Sequence, residues 1–325
     1  MIHRFFAVCT VGALCWFGCI PADCQTSQPK TSTPWAKRAV GGQPDIEGYW
    51  SSAIITPFER PANLADKKQL TEEEAAKFEA QASSVASAPP REGDVGVEMW
   101  LDRGSKVAKT RQTSLVVDPA DGRVPLTAEA EAKREYARAH ETDSYEFLSP
   151  WDRCVTRGVP ANMFPAGHNN ALQIIQTPGQ VVIVSEMIHE TRVIRLDGSP
   201  HAAASLRLWS GDARGHWEGH TLVVDTTNFN GKGWIATSAS QGRIRGVPQT
   251  EQAHLIERFT RTDADTLLYE VTIEDPPMYS KPWTVSMPLV RDEGYRMFEY
   301  ACHEGNQAVE LILGGGRARD KAAGK

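Results

Sequence analysis

From residue 170 onward the chain alternates apolar and polar side chains with a period of two, and turn residues interrupt the alternation at short intervals. Segments 171–176 and 180–188 flank Thr177-Pro178-Gly179, and segment 192–196 ends at Asp197-Gly198. Next, 216–217 and 221–226 flank Glu218-Gly219, and 255–261 and 266–274 flank Asp263-Ala264-Asp265. Trp283, Val285, Met287 and Leu289 alternate with Thr284 and Ser286, as Phe298, Tyr300 and Cys302 do with Glu299 and His303. Successive side chains of a strand point to opposite faces, so this is the pattern of half-buried strands joined by hairpins. Such a sheet leaves unpaired edges unless it closes on itself. The pattern predicts a mainly β fold, an antiparallel meander closed into a barrel or a strongly curved sheet. No parallel βαβ rhythm and no internal repeat is visible.

The earlier part of the chain carries two helical insertions. Thr71, with Glu74 three residues later, forms a capping box ahead of an Ala-rich helix near 71–83, and Thr127 opens a second near 127–140. Strands are expected at 51–56 and 113–118, the latter ending in Pro119-Ala120-Asp121-Gly122. Residues 46–312 read as a single β-rich domain, and 313–325, with Gly314-Gly315-Gly316 and a charged end, as a disordered tail.

A short basic start and an apolar run from Phe5 to Ile20 have the layout of a secretory signal peptide, residues 1–24, followed by a flexible leader over 25–45. The run is shorter than the roughly 20 residues a membrane-spanning helix needs. Lipid attachment at Cys19 is a second reading. The protein is therefore expected in the periplasm or outside the cell. Only Cys154 and Cys302 remain after excision, and in an oxidising compartment they are expected to pair, closing a loop of about 150 residues worth up to about 5 kcal/mol. Two buried free thiols are the alternative. Excision takes Arg4 and Asp23 together and leaves the formal net charge at -6, which argues against nucleic acid as a partner.

Several strings of residues have a familiar look. They are Ile46-Glu47-Gly48-Tyr49-Trp50, Thr56-Pro57-Phe58-Glu59-Arg60-Pro61, Trp100-Leu101-Asp102-Arg103-Gly104 and Asp118-Pro119-Ala120-Asp121-Gly122-Arg123. Trp151-Asp152-Arg153-Cys154, Glu186-Met187-Ile188-His189 and Tyr300-Ala301-Cys302-His303-Glu304-Gly305-Asn306 complete the set. Together they resemble a family of exported soil-bacterial proteins of unassigned function, over nearly the whole chain from residue 46. The resemblance implies export and one integrated unit, and transfers no activity. Gly48-Tyr49-Trp50 is also similar to the opening of lipocalin-type barrels.

The residues that could carry chemistry start with Glu186, which interrupts an apolar row formed with Val182, Val184 and Ile188. A carboxylate there must be paired with a cation, Arg192 or Arg153 being the candidates, or have its pKa raised to where a general acid or base works. His189 and Arg192 lie close by in sequence. Asp225 and His303 are expected to face the barrel interior, with Asp225 as a loop cap and His303 as a donor to a loop carbonyl the alternatives. A Cys154–Cys302 bridge would gather Asp152, Arg153, His303 and Glu304 beside Trp151. Trp151 and Trp217 are among the tryptophans suited to line a sugar or aromatic site. No paired spacing recommends a metal among His189, His201, His216 and His303, and no cofactor fingerprint occurs. Two functions fit. One is a cofactor-free lyase, isomerase or hydrolase acting on a sugar-like or aromatic molecule, with Glu186, Asp225, His189 and His303 as acid–base groups and Arg153 and Arg192 holding substrate. The other is a lipocalin-type small-molecule binding protein.

Overall fold

Alternation becomes strand wherever a neighbouring ladder can take the backbone hydrogen bonds. In a computed structural model that describes residues 37–39, 41–86 and 101–324, the elements in chain order begin with β1 (Gly48–Ser51), α1 (Glu72–Ala86), β2 (Val116–Asp118) and α2 (Ala128–Ala139). They continue with β3 (Ala171–Thr177), β4 (Gln180–Ser185), β5 (Thr191–Arg195), β6 (Asp212–Glu218) and β7 (Thr221–Thr227). The short pair β8 (Gly233–Trp234) and β9 (Pro248–Gln249) precedes β10 (His254–Arg261), β11 (Thr266–Glu274), β12 (Trp283–Arg291) and α3 (Ala308–Ala322). The expected signal peptide, Cys19 and residues 25–36 of the leader lie outside the described residues, as does Trp100. Among the described residues no helix is long and apolar enough to cross a membrane.

The sheet runs β1-β3-β4-β5-β6-β7-β10-β11-β12, and a pairing of β12 with β1 closes it into a nine-stranded barrel; β2 adds to β12 outside that ring. The predicted closed meander is therefore the fold, with one difference. β5 and β6 pair in parallel, at Arg195 and Arg214, because the long connection between them returns the chain to the same end. The turn between β6 and β7 is Gly219-His220, one residue later than expected, since Glu218 pairs with Thr221.

One face of each strand packs inward. Trp50, Leu172, Ile183, Phe259, Tyr269 and Met287 are buried in one continuous core. Each large side chain removed from water this way is worth roughly 1.5–3 kcal/mol. The Trp50 indole N–H donates to the Ile46 carbonyl at 3.0 Å, so the sole polar atom of that side chain is satisfied in the core.

Both predicted helices form. Thr71 and Glu74 exchange the two bonds of a capping box, and Thr127 Oγ1 accepts from the Ala130 N–H at 3.1 Å. The tail differs from expectation, since Ala308–Ala322 is helical through all three glycines. Its Ala, Leu, Glu, Arg and Lys residues favour helix, which offsets the roughly 1 kcal/mol each glycine costs. Gly316 is buried, and a Cβ there would lie 2.4 Å from Thr142 Cβ, so the missing side chain lets α3 dock on the chain after α2.

The segment expected as a last strand, 298–303, has no ladder partner. Residues 292–307 instead form an irregular strap between β12 and α3.

Candidate functional site

β4 ends at Ser185. There the chain turns through Met187–His189 with Ile188 at φ 63° and His189 at φ 45°. A left-handed conformation is costly for a β-branched residue and persists only where its surroundings hold it. Here the Glu186 N–H donates to the Ala171 carbonyl at 3.0 Å, and the His189 N–H to the Glu186 carbonyl at 2.9 Å. Ile188 and Met187 are buried with Ala166 in a small second core, against which Trp151, Tyr300 and Cys302 pack. This turn takes Glu186 off the strand face it would have shared with Val182 and Val184.

The Glu186 side chain is 1 % exposed. Its Oε1 accepts from Asn169 Nδ2, and its Oε2 accepts from the Tyr295 hydroxyl at 2.7 Å and the Phe298 N–H at 3.0 Å. Arg192 and Arg153, the cations expected to pair with it, are elsewhere, and among the described residues no cation forms an ion pair with this carboxylate. Three donors on a buried carboxylate satisfy most of its acceptor capacity and replace the missing counter-charge. Burial, then the hydrogen bond to Glu186, raises the Tyr295 phenol well above its ordinary range, so Tyr295 is a fixed donor at neutral pH.

The network continues outward. His168 Nδ1 donates to Asn169 Oδ1 at 2.6 Å, with the His168 ring stacked on Tyr300 and tilted against Trp151. Asn169 itself sits at φ 49°, a region asparagine tolerates better than most residues.

Glu186 lies in the wall of a cavity of about 420 Å³ beside β1 and under the strap. Tyr49, Tyr295 and Phe298 give it aromatic surface, and Asp102 and Asp292 add two further carboxylates. The strap is tied down beside it, since the Asp292 N–H donates to the Tyr49 carbonyl at 3.0 Å.

The other expected groups do not join Glu186. Arg192 points into the barrel, where its Nη1 donates to Glu257 Oε1 at 2.9 Å and its Nη2 to Thr226 Oγ1 at 2.7 Å. Asp225 is on the outer face of β7, not inside. Its neighbours Val224 and Thr226 point inward, and its Oδ1 meets His201 Nε2 at 3.2 Å and His254 Nε2 at 3.0 Å. Arg153 lies 6.0 Å from the Tyr145 ring, and burial lowers its pKa. Trp217, on β6, is half-buried against the main core.

The predicted disulfide joins Cys154 to Cys302 with the Cα atoms 5.6 Å apart, and it pins the strap to the 151–158 segment. His303 is in the strap rather than on an inward strand face, and its Nε2 donates to the Cys154 carbonyl at 3.1 Å. His189 Nδ1 donates to the Tyr300 carbonyl at 2.8 Å. Both histidines line a second cavity of about 510 Å³ with Glu190 and Glu304, and neither lines the cavity of the Glu186 carboxylate. Asp152 and Arg153 do not line it, Asp152 instead accepting from Ser149 Oγ at 2.7 Å.

Sequence reasoning missed His168, Asn169 and Tyr295. The consecutive polar run His168-Asn169-Asn170 just ahead of an apolar strand was the available signal for the first two. Comparison with protein-family models, with curated proteins and with solved structures finds no match to this chain, so the reading of the site rests on its own geometry.

Proposed function

We propose that this is an exported small-molecule binding protein whose ligand sits in the Glu186 cavity and is a neutral or amine-bearing sugar-like ring. The observation that carries the reading is a buried carboxylate without a cationic partner among the described residues, held by Asn169, Tyr295 and the Phe298 N–H in an aromatic-walled cavity. Aromatic faces suit the apolar faces of such a ring, and the carboxylates of Asp102, Asp292 and Glu186 accept from its hydroxyl or amine groups. The same three charges disfavour an anionic ligand. The barrel interior is occupied by Trp50, Phe259, Tyr269 and the Arg192–Glu257 pair, so the ligand belongs at the edge of the barrel rather than along its axis.

A second reading, acid–base catalysis on the same ligand, is favoured by the 2.7 Å contact between Glu186 and Tyr295, two titratable groups in one cavity. His189 and His303 have no part in it, because they line the other cavity.

The test is calorimetric titration of the mature chain with glucose, glucosamine and glucuronate, with the recovered ligand analysed by NMR. Glucose or glucosamine is expected to bind, glucuronate to be excluded, and Glu186→Gln to weaken binding about tenfold or more. Unchanged ligand supports the carrier and altered ligand the enzyme. Absence of saturable binding, or binding indifferent to Glu186→Gln, sinks both.

A further inference from the structure

On another part of the molecule, α2 and the turn at Ala239–Ile244 enclose a cavity of about 250 Å³ lined by Arg134, Arg138, Arg245, Trp234, Phe147 and Glu141, among others. The three arginines are in different states. Arg134 is anchored, its Nε and Nη2 on Glu135 at 2.9 and 2.8 Å and its Nη1 on the Arg243 carbonyl. Arg138 is exposed, with Glu135 as its only ion-pair partner among the described residues, at 3.9 Å. The Arg245 side chain has no hydrogen-bond or ion-pair partner among the described residues, although its Nε is buried. The nearby Arg243 is spent, tied to Glu59 at 2.9 Å and Glu131 at 3.7 Å.

A buried N–H without an acceptor costs about 1–3 kcal/mol, so a position that keeps one is poised for an acceptor from outside. A guanidinium presents donors in a planar fork that matches a carboxylate in bidentate fashion. Between the charged groups, Trp234 and Phe147 give the cavity two flat apolar faces. Trp234 and Arg134 close in around Gly246, where a Cβ would stand 3.8 Å from the indole and 3.7 Å from Arg134 Cγ. Phe147 is held edge-on by Tyr136, with ring centroids 5.7 Å apart. Three guanidinium groups against the single carboxylate of Glu141 give the lining a positive balance, opposite in sign to the Glu186 cavity.

We infer that this cavity binds a small aromatic carboxylate, its carboxylate on Arg245 and Arg138 and its ring between Trp234 and Phe147. The site is separate from the Glu186 cavity and independent of what binds there.

The experiment is titration of the mature chain with benzoate, benzamide and inorganic phosphate, followed by tryptophan fluorescence and repeated by calorimetry. Benzoate is expected to saturate and benzamide, its uncharged counterpart, to bind at least tenfold more weakly. Arg245→Gln is expected to weaken benzoate about tenfold or more, Arg245→Lys less, and Glu186→Gln not at all. Arg138 is largely exposed, so Arg138→Gln folds in any case, and it is expected to weaken benzoate about threefold. A loss in Trp234→Phe of the fluorescence change, with calorimetric binding retained, places the ring beside that indole. No saturable benzoate binding, equal affinity for benzamide, phosphate binding as tightly as benzoate, or full affinity in both Arg245→Gln and Arg138→Gln would each overturn the assignment.

Discussion

Arg192 and Glu257 meet inside the barrel from β5 and β10, strands separated by β6 and β7 in the sheet, with Nη1 to Oε1 at 2.9 Å. Thr226 accepts from the same guanidinium, and the Tyr269 hydroxyl donates to the same carboxylate at 3.0 Å. Burial acts to lower the Arg192 pKa, and Glu257 outweighs it, so the net direction is upward. The Arg192 Nε has no acceptor among the described residues, but both of its terminal nitrogens and both Glu257 oxygens are bonded, and a buried pair like this fixes which strand faces which across the core.

Removing one member leaves the other charged, buried and unpaired. Glu257→Leu is therefore expected to cost about 3–5 kcal/mol, seen as a fall in Tm of roughly 10 °C. Replacing both residues by methionine is expected to recover most of that loss. Thermal denaturation of the single and double variants checks it, and a double variant as unstable as Glu257→Leu contradicts it.

Tyr295 supplies a pH dependence. Its phenol is raised above the ordinary value of 10.0, by burial first and by Glu186 second. A raised group contributes stability that is fully present below its unfolded pKa and lost as pH rises through the folded one. Tyr295→Phe is expected to be less stable than the parent by about 1–2 kcal/mol at pH 7, through the lost bond to Glu186. Above pH 10 the parent loses stability faster, so the gap narrows. Urea denaturation of both proteins between pH 7 and 11 measures it, and a gap constant with pH counts against the assignment.

Where the sequence was legible, a local rule and its tertiary context agreed. Phe259, Val271 and Val285 alternate with polar neighbours and have partner strands on both sides. The segment 298–303 alternates equally well but has no partner strand, so the Phe298 N–H serves Glu186 and the Tyr300 carbonyl serves His189. Glu186 stood out as a carboxylate in an apolar row, yet its partners could not be read. Tyr295 is 109 residues away and Phe298 112, and both arrive on a strap without periodicity. Asp225 was misplaced because β7 is flanked on its outer face by His201, brought there by the long crossover after β5.

The strap depends on its covalent tie. Cys154→Ala/Cys302→Ala removes a cross-link across 148 residues, expected to cost roughly 2–5 kcal/mol. The change should concentrate at the strap, where amide exchange over residues 295–303 is expected to accelerate about tenfold while β10 and β11 keep their protection. Exchange followed by mass spectrometry distinguishes this from uniform loosening, which would count against a role of the bridge in holding the Glu186 cavity.

Asn169 has two roles that two substitutions separate. Asn169→Ala loses the donor to Glu186 and places a Cβ-bearing residue at φ 49°, and is expected to cost about 2–3 kcal/mol. Asn169→Gly loses the same donor without the backbone penalty and is expected to be about 1 kcal/mol less damaging. Equal losses in the two variants would mean that the left-handed backbone contributes nothing.

Asp225 provides the control for the site as a whole. It was the sequence's second carboxylate candidate, yet it lies on the outer face of β7, half exposed, between His201 and His254. Contacts this exposed are worth about 0–1 kcal/mol even between full charges, so Asp225→Asn is expected to change stability by less than about 1 kcal/mol. It touches neither the Glu186 network nor the Arg192–Glu257 pair, and residues without shared partners act additively. Any ligand of the Glu186 cavity should therefore bind Asp225→Asn as it binds the parent, while Glu186→Gln weakens it. Calorimetry on the two variants and their combination decides the matter. A loss in Asp225→Asn as large as that in Glu186→Gln would move the site to the outer face and undo the reading built on Glu186.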